Sequence, residues 1–177
     1  SIDYTSLDVT PGVSPQQYVD FVNKYGSANT TVLGTAGWVS DSRDSVLYTT
    51  KGTLQRASAE VSTPVGDLKF YKLSYQYQRY FPLSKDFTLY VSGDVGYGNG
   101  YGGDELPFYK NFFAGGMGTI RGFQPGTIGP RVVNSDGTLS DQRMGGNRRI
   151  AGTVEVLFPM PGFGQDLRER AGPGEAG

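Results

Sequence analysis

The sequence contains no cysteine and no histidine among its 177 residues. The first absence excludes disulfides and cysteine-based metal sites, and the second excludes histidine-based catalytic triads and zinc sites of the HExxH type. The formal net charge is −1, which gives no electrostatic case for a nucleic-acid partner. We therefore expect no catalytic residues, no metal, no cofactor and no nucleic acid.

Long apolar runs are absent as well. No stretch of about 18 apolar residues occurs, so no transmembrane helix is predicted. The first seven residues lack both the basic and the apolar region of a secretory signal, and they resemble the middle of a strand. We expect that the chain begins inside a larger protein.

What the sequence does contain is alternation, most clearly over residues 69–81. Apolar and aromatic side chains occupy the odd positions Tyr71, Leu73, Tyr75, Tyr77 and Phe81, with Arg79 as the one charge, and polar or amphipathic side chains occupy the even positions Lys72, Ser74, Gln76, Gln78 and Tyr80. A period of two predicts a strand with one apolar and one polar face. Strands are also predicted at 1–8 (truncated), 30–40, 53–62, 87–97 and 148–158, and a short amphipathic helix at 15–25.

Aromatic residues lie near the ends of two of these strands. Tyr71 and Phe81 are ten residues apart, and so are Phe87 and Tyr97. Ten steps cover about 33 Å, which a strand tilt of about 40° reduces to about 25 Å, the height of the apolar band of an outer-membrane barrel. Arg79 lies near the rim, where a long side chain snorkels at little cost. A soluble antiparallel sheet with one solvated face remains the alternative.

The stretch from residue 115 to residue 130 holds six glycines and two prolines in sixteen residues. Its other residues are largely apolar around a single charge, Arg121, so we expect an ordered loop with positive φ angles that packs inside the molecule. It lies within residues 98–147, which show no clear periodicity, and the polar stretch 133–141 is predicted to be an exposed, mobile loop tip.

Several short motifs follow one another here without gaps. They are Gly96-Tyr97-Gly98-Asn99-Gly100, Leu106-Pro107-Phe108-Tyr109, Phe112-Phe113-Ala114-Gly115-Gly116, Ile120-Arg121-Gly122-Phe123 and Thr127-Ile128-Gly129-Pro130. Through them, residues 1–164 resemble the BamA family, the outer-membrane protein assembly factors of Gram-negative bacteria. The aromatic-Pro-Thr turn that is usual in the family is replaced by Tyr48-Thr49-Thr50.

The resemblance implies an all-β fold, an antiparallel transmembrane β-barrel of sixteen strands. This chain would supply its middle part, with about five complete strands and a short extracellular loop helix at 15–25. A long extracellular loop would fold back into the lumen and dock on the barrel wall through Arg121, Gly122 and Phe123. The resemblance further implies loop packing by Phe108, Tyr109, Phe112, Phe113, Gly115 and Gly116, and a lumen-facing acid at Glu155.

The resemblance also implies a function, namely the non-enzymatic insertion of β-barrel proteins into the bacterial outer membrane. The expected partners are the lipid bilayer, unfolded outer-membrane protein clients and, through periplasmic domains that this chain does not contain, accessory lipoproteins. A polypeptide-translocating transporter of the same superfamily and a soluble β-sheet binding module are the alternatives. Residues 165–177 lack aromatics and alternation, so we expect a disordered or non-native tail.

Overall fold

The computed structural model describes residues 1–10, 14–116, 123–134 and 136–158. In chain order its elements are β1 (Ile2–Ser6), α1 (Gln16–Tyr25), β2 (Ala28–Asp41), β3 (Gly52–Ser62), β4 (Phe70–Pro82), β5 (Thr88–Gly100), a 3₁₀ turn (Phe108–Lys110), β6 (Arg131–Val133), β7 (Leu139–Arg143) and β8 (Arg148–Leu157). Within these ranges, no helix has the length and apolar composition needed to cross a membrane.

Six strands form one antiparallel sheet in the order β1-β2-β3-β4-β5-β8. The sheet is open, with β1 and β8 at its edges. The strands predicted at 53–62, 69–81, 87–97 and 148–158 and the helix predicted at 15–25 are confirmed, with ends that differ by at most three residues. We call residues 101–147, which join β5 to β8, the long connection.

The long connection contains a small second sheet that the sequence pattern did not predict. Strands β6 and β7 pair as an antiparallel hairpin. At its turn, Asn134 N donates to Thr138 O at 2.8 Å, and Thr138 N donates to Asp136 Oδ1 at 2.9 Å. The stretch 133–141, predicted to be an exposed, mobile loop tip, contains the hairpin turn and the start of β7, and its residues 136–139 are exposed. The strands are too short for alternation to show, and turn-forming Asn, Asp and Gly set the geometry.

The two faces of the large sheet have opposite character. We call the face that carries Lys72, Gln76 and Asp94 the inner face, and the other the outer face. Apolar side chains on the outer face are widely exposed, and they include Ile2, Tyr4, Trp38, Val61, Leu73, Tyr75, Val95, Ile150, Val154 and Val156. Tyr71 and Tyr97 lie side by side on this face, with ring centroids 5.9 Å apart. A sheet that exposes its apolar face is suited to a lipid environment.

The buried core lies on the inner face, at one end of the sheet. Phe21 of α1, Leu33 of β2, Leu68 and Phe70 form a cluster, with Phe108 and Tyr109 packed against it. The buried hydroxyl of Ser62 is satisfied by Phe70, whose N–H donates to Ser62 Oγ at 2.7 Å. Helix α1 and the long connection thus cover the end of the sheet at which β5 ends and β8 begins.

Candidate loop-anchoring site on the inner face

The chain reverses direction after β5 and returns across the inner face. Gly102 and Gly103 have φ angles of 71° and 94°, in the left-handed region that favours glycine. The returning chain passes so close to β5 that a Cβ atom at Gly100 would lie 2.1 Å from Asp104 O. Gly102 and Gly103 therefore allow the chain to turn, and Gly100 allows the returning backbone at Asp104 to lie directly against the backbone of β5.

Phe112 lies at the centre of the contact between the long connection and the sheet. Its side chain is buried, and its ring rests on β5 at Gly96. A Cβ atom at position 96 would come within 2.6 Å of Phe112 Cε1. Real Cβ atoms do not approach other atoms so closely, so the ring occupies the space that a side chain at 96 would need.

Two cations from neighbouring strands lie against the Phe112 ring. Lys72 Nζ of β4 is 4.3 Å from the ring centroid, and Arg149 Cζ of β8 is 5.3 Å from it. Both distances are within the range of cation–π attraction. Arg149 is held in place by two further contacts, since its Nε donates to Asp94 Oδ1 at 2.6 Å and its Nη1 donates to Phe113 O at 3.3 Å. Strands β4, β5 and β8 therefore all contact the Phe112 ring.

Backbone hydrogen bonds connect the two ends of the long connection at the same place. Phe112 N donates to Gly146 O at 2.8 Å, and Gly146 N donates to Phe112 O at 2.9 Å. Asn111 Nδ2 donates to Met144 O at 2.9 Å. We call Phe112, Gly96, Lys72, Arg149 and Gly146 the anchor site, because these residues fix the long connection where it enters and where it leaves.

A second attachment to the inner face lies two residues before Phe112. Lys110 Nζ donates to Glu60 Oε1 of β3 at 2.9 Å and to Asp3 Oδ2 of β1 at 3.4 Å. Burial opposes the charge of Lys110, but the hydrogen bond and charge of Glu60, followed by those of Asp3, outweigh it and raise the pKa of Lys110. Lys110 is thus held as a cation that links the long connection to two more strands.

Helix α1 covers the first part of the long connection. Tyr18 stacks on Phe108 with ring centroids 4.2 Å apart, and Phe21 meets Phe108 edge-on at 5.3 Å. Lys24 Nζ donates to Glu105 Oε1 at 2.8 Å, and this hydrogen bond, with a smaller contribution from Tyr25, raises the pKa of Lys24 to about 12. The helix therefore contacts the first part of the long connection through aromatic rings and an exposed ion pair.

Comparison with known proteins decides the family. A model described as the Omp85 superfamily domain matches residues 2–170. The chain belongs to the Omp85 superfamily. Its sheet is part of an outer-membrane β-barrel of that superfamily, so the predicted fold class and the resemblance to BamA are confirmed.

The chain is also similar to individual curated proteins. The chain is 40% identical over 158 residues to the outer membrane protein assembly factor BamA of Neisseria meningitidis, a match that covers 84% of this chain and 20% of that protein. It is 29% identical over 137 residues to the mouse sorting and assembly machinery component 50 homolog, covering 73% of this chain and 28% of that protein. It spans less than a third of either relative.

A solved BamA structure has the same fold as this chain. The crystal structure of BamA from Haemophilus ducreyi lacking POTRA domains 1–3 superposes with a TM-score of 0.80 at 25% sequence identity. The match covers 88% of this chain and 32% of that one.

Some of the predicted site residues of this Omp85 segment lie within the described residues, and others lie outside them. Phe108 and Tyr109 contact α1, and Phe112 forms the anchor site. Phe113 is 41% exposed. Arg121 and Gly122 lie outside the described residues, as do the boundary at residue 164 and the tail 165–177.

The remaining predicted residues are Gly115, Gly116 and Phe123, on either side of residues 117–122, and Glu155 in β8. Gly115 and Gly116 have φ angles of 111° and 92°, which confirms the expected positive φ, and Gly116 N donates to Phe123 O at 2.9 Å. The Phe123 side chain is 57% exposed. Glu155 pairs in register with Tyr90, on the inner side of β8. Docking of the Arg-Gly-Phe motif on the wall and a role for Glu155 stay predictions.

Sequence reasoning did not identify the other members of the anchor site. Alternation placed Lys72 on the polar face of its strand and assigned it no contact. Nothing in the local pattern indicated that Lys72 and Arg149 converge on one ring from a distant segment. The glycine at position 96 was the available signal, because a glycine inside a strand often marks a close approach.

Among the described residues, no group of His, Cys, Asp and Glu could hold a metal ion.

Proposed function

We propose that this chain is part of an assembly factor that folds and inserts β-barrel proteins into the bacterial outer membrane. The observation that carries the proposal is the 40% identity with the BamA of Neisseria meningitidis, which is named an outer membrane protein assembly factor. A second relative, the BamA of Nitratidesulfovibrio vulgaris, carries the same name and is 30% identical over 122 residues. We assign no enzymatic activity to the chain.

The proposed partners follow from this function. Unfolded barrel proteins are the clients, and the bilayer is the medium into which they are delivered. Accessory lipoproteins would bind through periplasmic domains of the whole protein. The exposed apolar outer face supports contact with lipid, because it would be unfavourable in water.

Within the whole protein, the anchor site would give the long connection a fixed base. Phe112 and Gly146 are bonded to each other, and Lys72 and Arg149 lie against the ring. From this base the segment with Arg121, Gly122 and Phe123 would reach the barrel wall. A guanidinium in a water-poor lumen needs an anionic partner, because an unpaired buried charge costs several kcal/mol. Arg121 is therefore proposed to hold the long connection against the barrel wall, so that the barrel keeps a shape competent for insertion.

The test is Arg121→Ala in the full-length protein, reconstituted in vesicles and supplied with a urea-unfolded barrel client. Folded client is scored by its resistance to heat denaturation on a gel. The rate of client folding should fall about tenfold if one charged hydrogen-bonded contact is lost. Arg131→Ala is the matched control, since Arg131 is an exposed arginine of the same connection. Equal folding rates for both variants and for the wild type would contradict the role of Arg121.

A translocation pore is the second candidate. The observation in its favour is the polar inner face of β4, with Lys72, Ser74, Gln76 and Gln78, because such a face suits a water-filled channel. The same vesicles distinguish the two functions. An insertase leaves the client folded in the bilayer, whereas a transporter releases a soluble passenger into the vesicle interior, where added protease does not reach it.

A further inference from the structure

The outer face of the sheet carries charge at only two of the positions that the structure describes. They are Arg79 in β4 and Arg148 at the start of β8, and both are exposed. Every other outward position in the six strands is uncharged, as the alternation and the pairing register show. Charge on a lipid-exposed face is costly away from the interface, so the location of these two arginines requires a physical reason.

Each arginine lies against an aromatic ring of the same face. Arg79 Cζ is 4.6 Å from the centroid of Phe81, and Arg148 Cζ is 5.4 Å from the centroid of Tyr97. Neither guanidinium forms an ion pair with a carboxylate of the described ranges. Both therefore present hydrogen-bond donors outward beside an aromatic ring, and girdles of aromatic residues lie at both interfaces of outer-membrane barrels.

The two pairs lie near opposite ends of the apolar band. Phe81, which the Arg79 guanidinium contacts, pairs with Leu89 of β5, and Arg148 pairs with Tyr97 of the same strand. The eight steps from 89 to 97 cover about 26 Å along the strand, or about 20 Å along the membrane normal at a tilt of about 40°. An apolar band of about 25 Å places both groups close to its two surfaces.

The chemistry of these surfaces identifies the ligand. Phosphate groups of lipids lie at the level where the apolar band ends, and a guanidinium binds a phosphate through two parallel hydrogen bonds. Exposed apolar side chains provide a surface for the acyl chains that a free phosphate ion lacks: Val95 and Ile150 lie beside the Arg148 pair, and Val154 and Val156 lie across β5 from the Arg79 pair. We propose that Arg79 with Phe81 and Arg148 with Tyr97 are two binding sites for lipid phosphate, one in each leaflet, which set the height of the sheet in the membrane.

The proposal rests on the outer-membrane barrel assignment and not on insertion of clients. Its test measures lipid retention by the full-length protein with native mass spectrometry, after transfer from vesicles into a mild detergent. The probes are phosphatidylglycerol and a galactolipid of the same acyl chains that carries no phosphate. The wild type should retain phosphatidylglycerol and lose the galactolipid.

The variants are Arg79→Gln, Arg148→Gln and their combination, with Arg56→Gln as the matched control. Arg56 pairs with Gln76 on the inner face, where no lipid reaches. Each site variant should weaken retention of phosphatidylglycerol about tenfold at its own site, because a charge-assisted contact is lost, and the control should retain it as the wild type does.

Equal retention by the double variant and the wild type would overturn the proposal, and so would equal retention of the galactolipid by the wild type. Folding of each variant is checked by its heat-modifiable gel mobility. If the double Gln variant does not fold, Arg79→Lys with Arg148→Lys replaces it. Lysine keeps the charge but not the two parallel bonds, so retention should be intermediate, and unchanged retention would count against the sites. Client folding, measured separately, reports on the proposed function alone.

Discussion

The ring of Phe112 lies so close to the backbone of Gly96 that a Cβ atom there would come within 2.6 Å of Phe112 Cε1. One residue of the long connection and one residue of β5 therefore constrain each other. Gly96→Ala in the full-length protein should lower the free energy of unfolding in urea by about 2 kcal/mol, because the ring or the strand has to shift.

The control for this substitution is Gly93→Ala in the same strand, since a Cβ atom at Gly93 meets nothing within 4 Å. It should leave the free energy of unfolding nearly unchanged. If both alanines have the same effect, the close contact at position 96 is not what the glycine provides.

Removal of the ring itself should release the long connection. Phe112→Ala takes away a buried side chain and the partner of two cations, so we expect a loss of roughly 3 kcal/mol in the free energy of unfolding. It should also speed cleavage within 101–147 by limited proteolysis, followed by mass spectrometry. Phe113→Ala is the neighbouring control, because that side chain is 41% exposed. Unchanged cleavage in Phe112→Ala would show that other contacts suffice.

The ion pair between Lys110 and Glu60 can be tested by charge exchange. Either Lys110→Glu or Glu60→Lys alone places like charges together at the 2.9 Å contact and should destabilise the protein. The double exchange restores opposite charges, so a double-mutant cycle should give a favourable coupling of about 1 kcal/mol or more. Additive effects of the two substitutions would mean that the pair contributes nothing to stability.

The connection between β2 and β3 should respond to acid through Asp44. Burial is the largest single effect and disfavours the charged form of Asp44, but hydrogen bonds from the Thr50 side chain, from Thr50 N at 3.0 Å and from Lys51 N at 3.2 Å together outweigh it and lower the pKa of Asp44 to about 2. Because the folded-state pKa is depressed, the stabilisation is present above the ordinary value of 3.8 and is lost as the pH falls through about 2.

Urea midpoints between pH 5 and pH 2 measure this response. The wild type should lose more stability over that range than Asp44→Asn, whose side chain does not titrate. Asp86→Asn, in the turn between β4 and β5, serves as the control and should follow the wild type. A parallel decline in the wild type and Asp44→Asn would contradict the assignment.

How far the sequence predicts the molecule depends on the range of the interactions involved. Alternation over 69–81 predicts β4 because each side chain is sorted between two faces by its own polarity. The hairpin of β6 and β7 escapes prediction because three to five residues carry too little pattern. The anchor site escapes for a different reason. Arg149 and Lys72 meet at Phe112 only after β5 pairs with both β4 and β8, a relationship that no local window contains.

The bridge between Phe112 and Gly146 also divides the chain into parts with different tolerance to change. Since the bridge closes the long connection at its base, a longer segment between those residues adds little further entropy cost, which grows only with the logarithm of loop length. Gly137 lies at the hairpin turn, and a Cβ atom there meets nothing within 4 Å. Evolution or engineering can therefore graft epitopes or whole domains at this turn while the sheet beneath keeps its register.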